Sequence, residues 1–506
     1  MSPKVRAAAW ALLACGPFLA AQVPDAARMK ADLFYLAGPE CQGRATGQPG
    51  QRLAATYIAR RMKENGLAPL AGKGMGGASP YYFAYRLRRA RVDAEKTLLR
   101  SDAATLHAGQ DFVALMRPAP ARGEAVFIGY GISAPDLHWD ELHGVDLKGK
   151  WAVALNGHPP ALDASGQDDR LRLRAKRDAA LARGALGFVE VQAWTASFLP
   201  VRDMMQSWAS ERLSLEGAAT PRSRDSINLS EAAAKTMGFD AAEARKALDA
   251  AAGPLPPRGL GTWSFEPSVT EDSVEACDLA AVIPGRDPRL KDEYIVLSAH
   301  HDHLGVQGGV LHPGADDNAS GTTGILEAGR LLAKAKPRRS ILILSVSGEE
   351  LGLFGSEAFL AKPPVDAARI KADINIDMVG REAPDDLTVT PAQIPGAVGT
   401  LTARARALAP GHGFSLRPDA DAYWTRSDHY NFFKQGIPAI FFFDGMTADY
   451  HQAGDTPDKI ELDKVAKVVA LARDLALDAA NAEEAPKALP EAEWKAWTWP
   501  TPQPSR

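Results

Sequence analysis

Three features of residues 293 to 443 predict an α/β fold built on a mostly parallel sheet covered on both faces. The runs "YIVLSA", "SILILSVS" and "IPAIFFFD" are continuously apolar, as strands buried on both faces are. Helical stretches such as "SGTTGILEAGRLLAKA" and "GSEAFLA" separate them. Histidines and acids collect where the runs stop, and ligands of such sheets gather at the carboxyl ends of the strands.

Upstream, Lys4 and Arg6 precede an apolar stretch from Ala7 to Ala21 that has the layout of a secretory signal and is too short for a confident membrane span. The expected signal covers residues 1–21. "LLAC", ending at Cys15, also fits a lipoprotein cleavage box, so export is expected to the periplasm or the medium, with membrane anchoring only through a lipid on Cys15. In "GQRLAATYIARRMKENGLAP", Leu53, Tyr57, Ile58 and Met62 share one helical face, and Gly66 and Pro69 stop the helix. Short β-rich runs bounded by Gly, Pro and Asp then follow ("EAVFIGYGI", "GKWAVALNG", "ALGFVEVQ"), and "FDAAEARKALDAAAG" opens with a capping box at Asp240 and Glu243. "GPLPPRG" reads as a linker. The resulting division is 22–111 for the N-terminal part of the main domain, 112–255 for a β-rich insert, 256–482 for the rest of the main domain and 483–506 for a Pro/Trp-rich tail whose tryptophans cover an apolar patch.

Composition narrows the function. The chain has 506 residues, of which 46% are hydrophobic and 24% charged, so it is long enough for two or three globular domains. A formal net charge of −4 offers no basic footprint for nucleic acid. Three cysteines cannot build a structural zinc cluster, so any metal must be held by His and carboxylate; Cys41 and Cys277 are free to pair or not.

Five strand ends carry the chemistry. "YIVLSA" runs into His300 and Asp302; "HPGADDNASG" holds Asp316 and Asp317; "SILILSVS" ends at Glu349 and Glu350; "DINIDMVG" carries Asp377; and His451 follows "IPAIFFFD". Two imidazoles and at least three carboxylates exceed what one tetrahedral ion needs, and two metals sharing a carboxylate would use the surplus. Of the two adjacent glutamates, one is expected to face metal and the other to take a proton from water.

"AHHDHLG", "GADDNASG", "SGEELGLFGS", "NIDMVG" and "YHQAGDTPD", in this order, resemble the M28 family of zinc aminopeptidases. The resemblance extends over roughly residues 30 to 480, and the 112–255 module looks like the protease-associated (PA) domain inserted in many members. It implies the phosphorylase/hydrolase-like fold of zinc exopeptidases and two Zn2+ ions held by His300, Asp317, Glu350, Asp377 and His451. Asp317 would bridge, with a cis peptide after it. Asp302 would orient His300, Glu349 would serve as general base, and Tyr450 would hydrogen-bond the oxyanion. The implied reaction is removal of N-terminal residues from peptides by a water shared between the ions.

The remaining polar residues receive plainer readings. His301 alternates away from His300 and packs or meets solvent, while His303 and His312 serve loops. Ser427, Asp428 and His429 are contiguous and so make no triad; a supporting role beside the site suits them better. Asp316 is a loop or supporting residue, and Arg381 and Arg426 form surface ion pairs or touch substrate. Two alternatives stay open: a one-zinc glutaminyl-peptide cyclotransferase of related fold, and a non-catalytic receptor-like homologue. The complete ligand set argues against the second.

Overall fold

The computed structural model describes residues 23–70, 79–114, 120–162, 168–192, 212–217, 225–251 and 253–500. The expected signal segment, with Cys15, lies outside the described residues. The chain divides into two compact units, one of residues 1–85 and 275–506 and one of Arg86–Val274. The expected insert, 112–255, falls inside the second.

The first unit is a mixed sheet with four parallel strands at its centre. Its order is Thr388–Thr390, Ala439–Phe443 (β4), Ile370–Ile376 (β3), Tyr294–His300 (β1), Ser340–Val346 (β2) and the segment Leu279–Ile283, with both outermost strands antiparallel. All seven residues of β2 are buried, which requires cover on both faces and accounts for the unbroken apolar text. Ile341 and Ile343 join a core cluster with Ile295, Leu297, Ile325 and Leu326, to which helices Ala26–Leu36 (α1), Pro49–Glu64 (α2), Gly321–Leu332 (α3) and Leu462–Asn481 (α4) contribute. In α2 the buried face is carried by Ala54, Ala55, Tyr57, Ile58 and Met62; Leu53, expected on that face, is 45% exposed.

Cys41 and Cys277 are buried in this core as free thiols. Trp494 is buried, and the Arg406 guanidinium lies 4.4 and 4.5 Å from the rings of Trp497 and Trp499, which meet edge-to-face at 6.3 Å.

In the second unit, strands Ala121–Phe127, Trp151–Leu155, Gly187–Gln192 and Ser226–Ser230 run parallel in that order, with Phe112–Ala114 antiparallel at one edge and the start of Arg258–Ile283 antiparallel at the other. Trp151, Phe188, Trp263 and Phe265 are among its fully buried side chains. Asp240 caps helix Ala241–Asp249 by accepting from Glu243 N. Among the described residues, no helix is long and apolar enough to cross a membrane.

Candidate metal centre

Every residue of the site lies in the first unit. β1 ends at His300, whose Nε2 is 3.2 Å from Asp377 Oδ1 and 3.3 Å from Asp317 Oδ1. Asp377 stands one residue past β3, on the neighbouring strand. His451 presents Nε2 3.2 Å from Asp317 Oδ2 and 3.1 Å from Glu350 Oε2. Two sets of three donor atoms therefore share Asp317, one oxygen in each. A tetrahedral zinc with ligands at 2.0–2.1 Å sets its donors about 3.3 Å apart. The side chains present fit two such ions.

The surroundings hold these groups in place. The peptide between Asp317 and Asn318 is cis. Asp455 accepts from the backbone N–H groups of Asp316 and Asp317 at 2.9 to 3.1 Å. Ser427 Oγ donates to Asp377 Oδ2 at 2.8 Å, leaving Oδ1 for His300. Asp302 does not share a strand face with His300, because the strand stops at His300; its carboxylate is 3.6 Å from His300 Nδ1, and its backbone oxygen is nearer, at 3.2 Å. Thr46 Oγ1 and Glu349 N both donate to the Asp302 carboxylate. Arg44, fully buried, ties the loops together by donating to the backbone oxygens of Leu36, His301, Pro313 and Gly314.

Glu349, Tyr450, Asp317 and Asp377 line a cavity together with Met378, Tyr423, Arg426, Phe441, Phe443 and Met446. Burial raises the Glu349 carboxyl well above its usual range; the His300 charge opposes this, while Glu350, Asp377 and Asp428 add to it. Burial would lower His300, but Asp377 and Glu349 lift it well above an ordinary imidazole. His451 reaches about 9: burial lowers it, and hydrogen bonds to Asp317 and Glu350 outweigh that. Such crowding of carboxylates on imidazole is the electrostatic pattern that a cation relieves. Arg426 Nη2 donates to Tyr450 Oη at 3.0 Å, beside the same cavity.

The other polar residues sort themselves. His301 is buried, with Nε2 2.9 Å from Gln51 Nε2 and Nδ1 3.0 Å from Ser345 Oγ, so it packs. Asp316 accepts from Gly380 N at 2.7 Å behind the site. Arg381 pairs with Asp449 at 3.0 Å. His312 lies on the short strand Val310–His312. Ser427, Asp428 and His429 form no triad: Ser427 serves Asp377, Asp428 accepts from Ser356 Oγ at 2.5 Å, and His429 Nε2 donates to Trp424 O at 2.7 Å. His303, read from sequence as a loop residue, is instead buried with Nδ1 2.7 Å from Glu350 Oε1. Ser427 has the supporting place expected of its segment, whereas Arg44, Thr46 and Asp455 were not identified as site supports from the sequence.

Residues 278–476 match the model of Peptidase family M28. The chain carries a family M28 peptidase domain. Segments of the chain are 27% identical over 213 residues to a "Probable leucine aminopeptidase" of Arthroderma otae and 36% identical over 110 residues to "Leucine aminopeptidase 1" of Trichophyton equinum. These matches cover 39% and 20% of this chain and 57% and 28% of the relatives. In structure, the chain resembles an aminopeptidase from Aneurinibacillus sp. strain AM-1 (TM-score 0.55, 19% identity, 95% of this chain and 98% of that one). It also resembles a zinc aminopeptidase from Bacillus subtilis (TM-score 0.50, 18% identity, 91% and 97%). At these identities the structural likeness establishes the fold. All four strands of the parallel core, and the donor sets at their ends, lie within the M28 domain.

Proposed function

We propose that this chain is an exported zinc-dependent aminopeptidase that removes N-terminal residues from peptides. The observation that carries the reading is the pair of three-donor sets sharing Asp317 beside a cavity lined by Glu349 and Tyr450. His300, Asp377 and Asp317 would hold one ion, and Glu350, His451 and Asp317 the other; a zinc pair in this position supplies Lewis acidity toward the peptide carbonyl and toward water. Glu349, adjacent in sequence to Glu350 but facing the cavity, takes the proton from water and returns it to the departing amine. Its raised pKa suits a group that must both accept and release a proton. Tyr450 remains protonated, because burial and the nearby Asp317 and Glu350 raise it, and donates to the oxyanion. Asp302 orients His300 from behind. The wall of Met378, Tyr423, Phe441 and Phe443 receives the side chain of the first residue.

Export rests on the basic-then-apolar start of the sequence, with a lipid on Cys15 as the one route to a membrane. The 112–255 module, which falls within the Arg86–Val274 unit, is read as an inserted domain of the protease-associated kind.

A panel of aminoacyl reporter substrates, each run with and without a chelator, tests the reading: hydrolysis of free but not blocked N-termini, lost on chelation, is expected. In the same assay E349Q should keep its zinc and lose about 100-fold or more in kcat. Full activity of E349Q would remove Glu349 from the role of base. Cyclisation of N-terminal glutamine in place of hydrolysis would favour the cyclotransferase alternative.

A further inference from the structure

His303 is fully buried, and its contacts single it out among the histidines of the cleft. Its Nδ1 is 2.7 Å from Glu350 Oε1, and 3.8 Å from Asp317 Oδ2, which is beyond hydrogen-bond range. The other Glu350 oxygen, Oε2, is the one that faces His451, at 3.1 Å. A carboxylate only accepts, so the short contact places the hydrogen on Nδ1. Asp377 is treated the same way on the opposite side: Ser427 donates to its Oδ2 and leaves Oδ1 for His300. Each carboxylate that belongs to one donor set alone thus has one oxygen held by a buried donor and the other turned to an imidazole.

From this geometry we infer that His303 is a positioning residue: its Nδ1–H fixes Glu350 Oε1 so that Oε2 stands beside His451 and Asp317. The inference rests on the reading of the cleft as a two-zinc site, where ligating carboxylates need hydrogen-bonded support of their own. The ring has little freedom to do anything else. A Cβ at Gly314, whose φ is +60°, would come within 2.4 Å of His303 Cγ, so the ring occupies space that only glycine leaves open. The His303 backbone N–H donates to Arg44 O at 3.3 Å, and the His451 ring meets it edge-on at 5.7 Å.

The test titrates zinc into metal-free wild type, H303A and H303N against a chromophoric chelator, with circular dichroism to follow folding. In H303A the ion held by His300, Asp377 and Asp317 should bind as in wild type, while the other binds 10- to 100-fold more weakly. H303N keeps an N–H near the place of Nδ1–H and should recover most of that loss; it also carries the test should H303A not fold. Unchanged affinity at both positions in H303A would overturn the role of His303 while leaving the zinc reading intact. Failure of H303N to recover any of the loss would make the residue a ligand and not a support. Wild type that takes up fewer than two zinc ions would overturn the two-zinc reading instead.

Discussion

Arg44 shows how a residue far from the chemistry in sequence holds the site in shape. Its guanidinium is buried, has no carboxylate directly paired to it among the described residues, and satisfies four backbone oxygens, from α1, from the loop after β1 and from the loop before Asp316. Removing it leaves those carbonyls unpaired in a dry interior, each at a cost. R44A is expected to lose about 1–3 kcal/mol of stability by denaturant unfolding, the cost of leaving buried carbonyl acceptors unsatisfied. His429 makes a second prediction. Burial between Trp424 and Phe441 holds its imidazole down to about 3 from 6.5, against the pull of its hydrogen bond to Trp424 O. The folded form therefore stays neutral while the unfolded chain takes up a proton. The stability this provides is intact above pH 6.5 and lost as the pH falls toward 3. The slope is about 1.4 kcal/mol per pH unit. Acid titration of stability in H429N, set against wild type, should be shallower by that amount across the window. His300, Asp317, Glu349, Glu350, Asp377 and His451 were legible as a cluster because each falls in a motif that follows an apolar run, at or just past the strand end for His300 and Asp377 and in the segments beyond for the others. His303 was not, and the reason is physical: the strand ends at His300, so the alternation of faces that sorts His300 from His301 says nothing about a residue three positions on.

At the scale of elements, the continuous apolar strands of the parallel core were the most readable part, since burial on both faces leaves no ambiguity of pattern. The strand Tyr82–Arg100 was the least readable. Its text, "YFAYRLRRARVDAEKTLLR", looks polar because its arginines pair across to acids of a partner strand, as Arg89 does with Asp272 at 2.6 Å. Alternation diluted by charge carried no strand signal, and the second compact unit accordingly begins at Arg86 and ends at Val274, outside the bounds drawn from turn residues alone. The C-terminal tail is held by Trp497 and Trp499, which both contact the Arg406 guanidinium. An exposed cation–π contact is worth about 0.5–1 kcal/mol. W499A should cost about 1 kcal/mol in unfolding free energy and leave zinc binding unchanged; a drop in zinc affinity would mean that the tail is coupled to the site.

For the whole molecule, the fold is a scaffold that brings strand ends and loops to one cleft, with a buried donor holding one oxygen of Asp377 and one of Glu350. The proposed enzyme holds two zinc ions sharing Asp317 in this cleft and hydrolyses N-terminal peptide bonds. Metal content measured alongside activity tests this most directly, by adding zinc stepwise to the metal-free protein and following hydrolysis of an aminoacyl reporter. Two zinc ions per chain are expected, with hydrolysis reaching its full rate only as the second position fills. A single zinc per chain supporting full activity, or hydrolysis that persists in the metal-free protein, would contradict this.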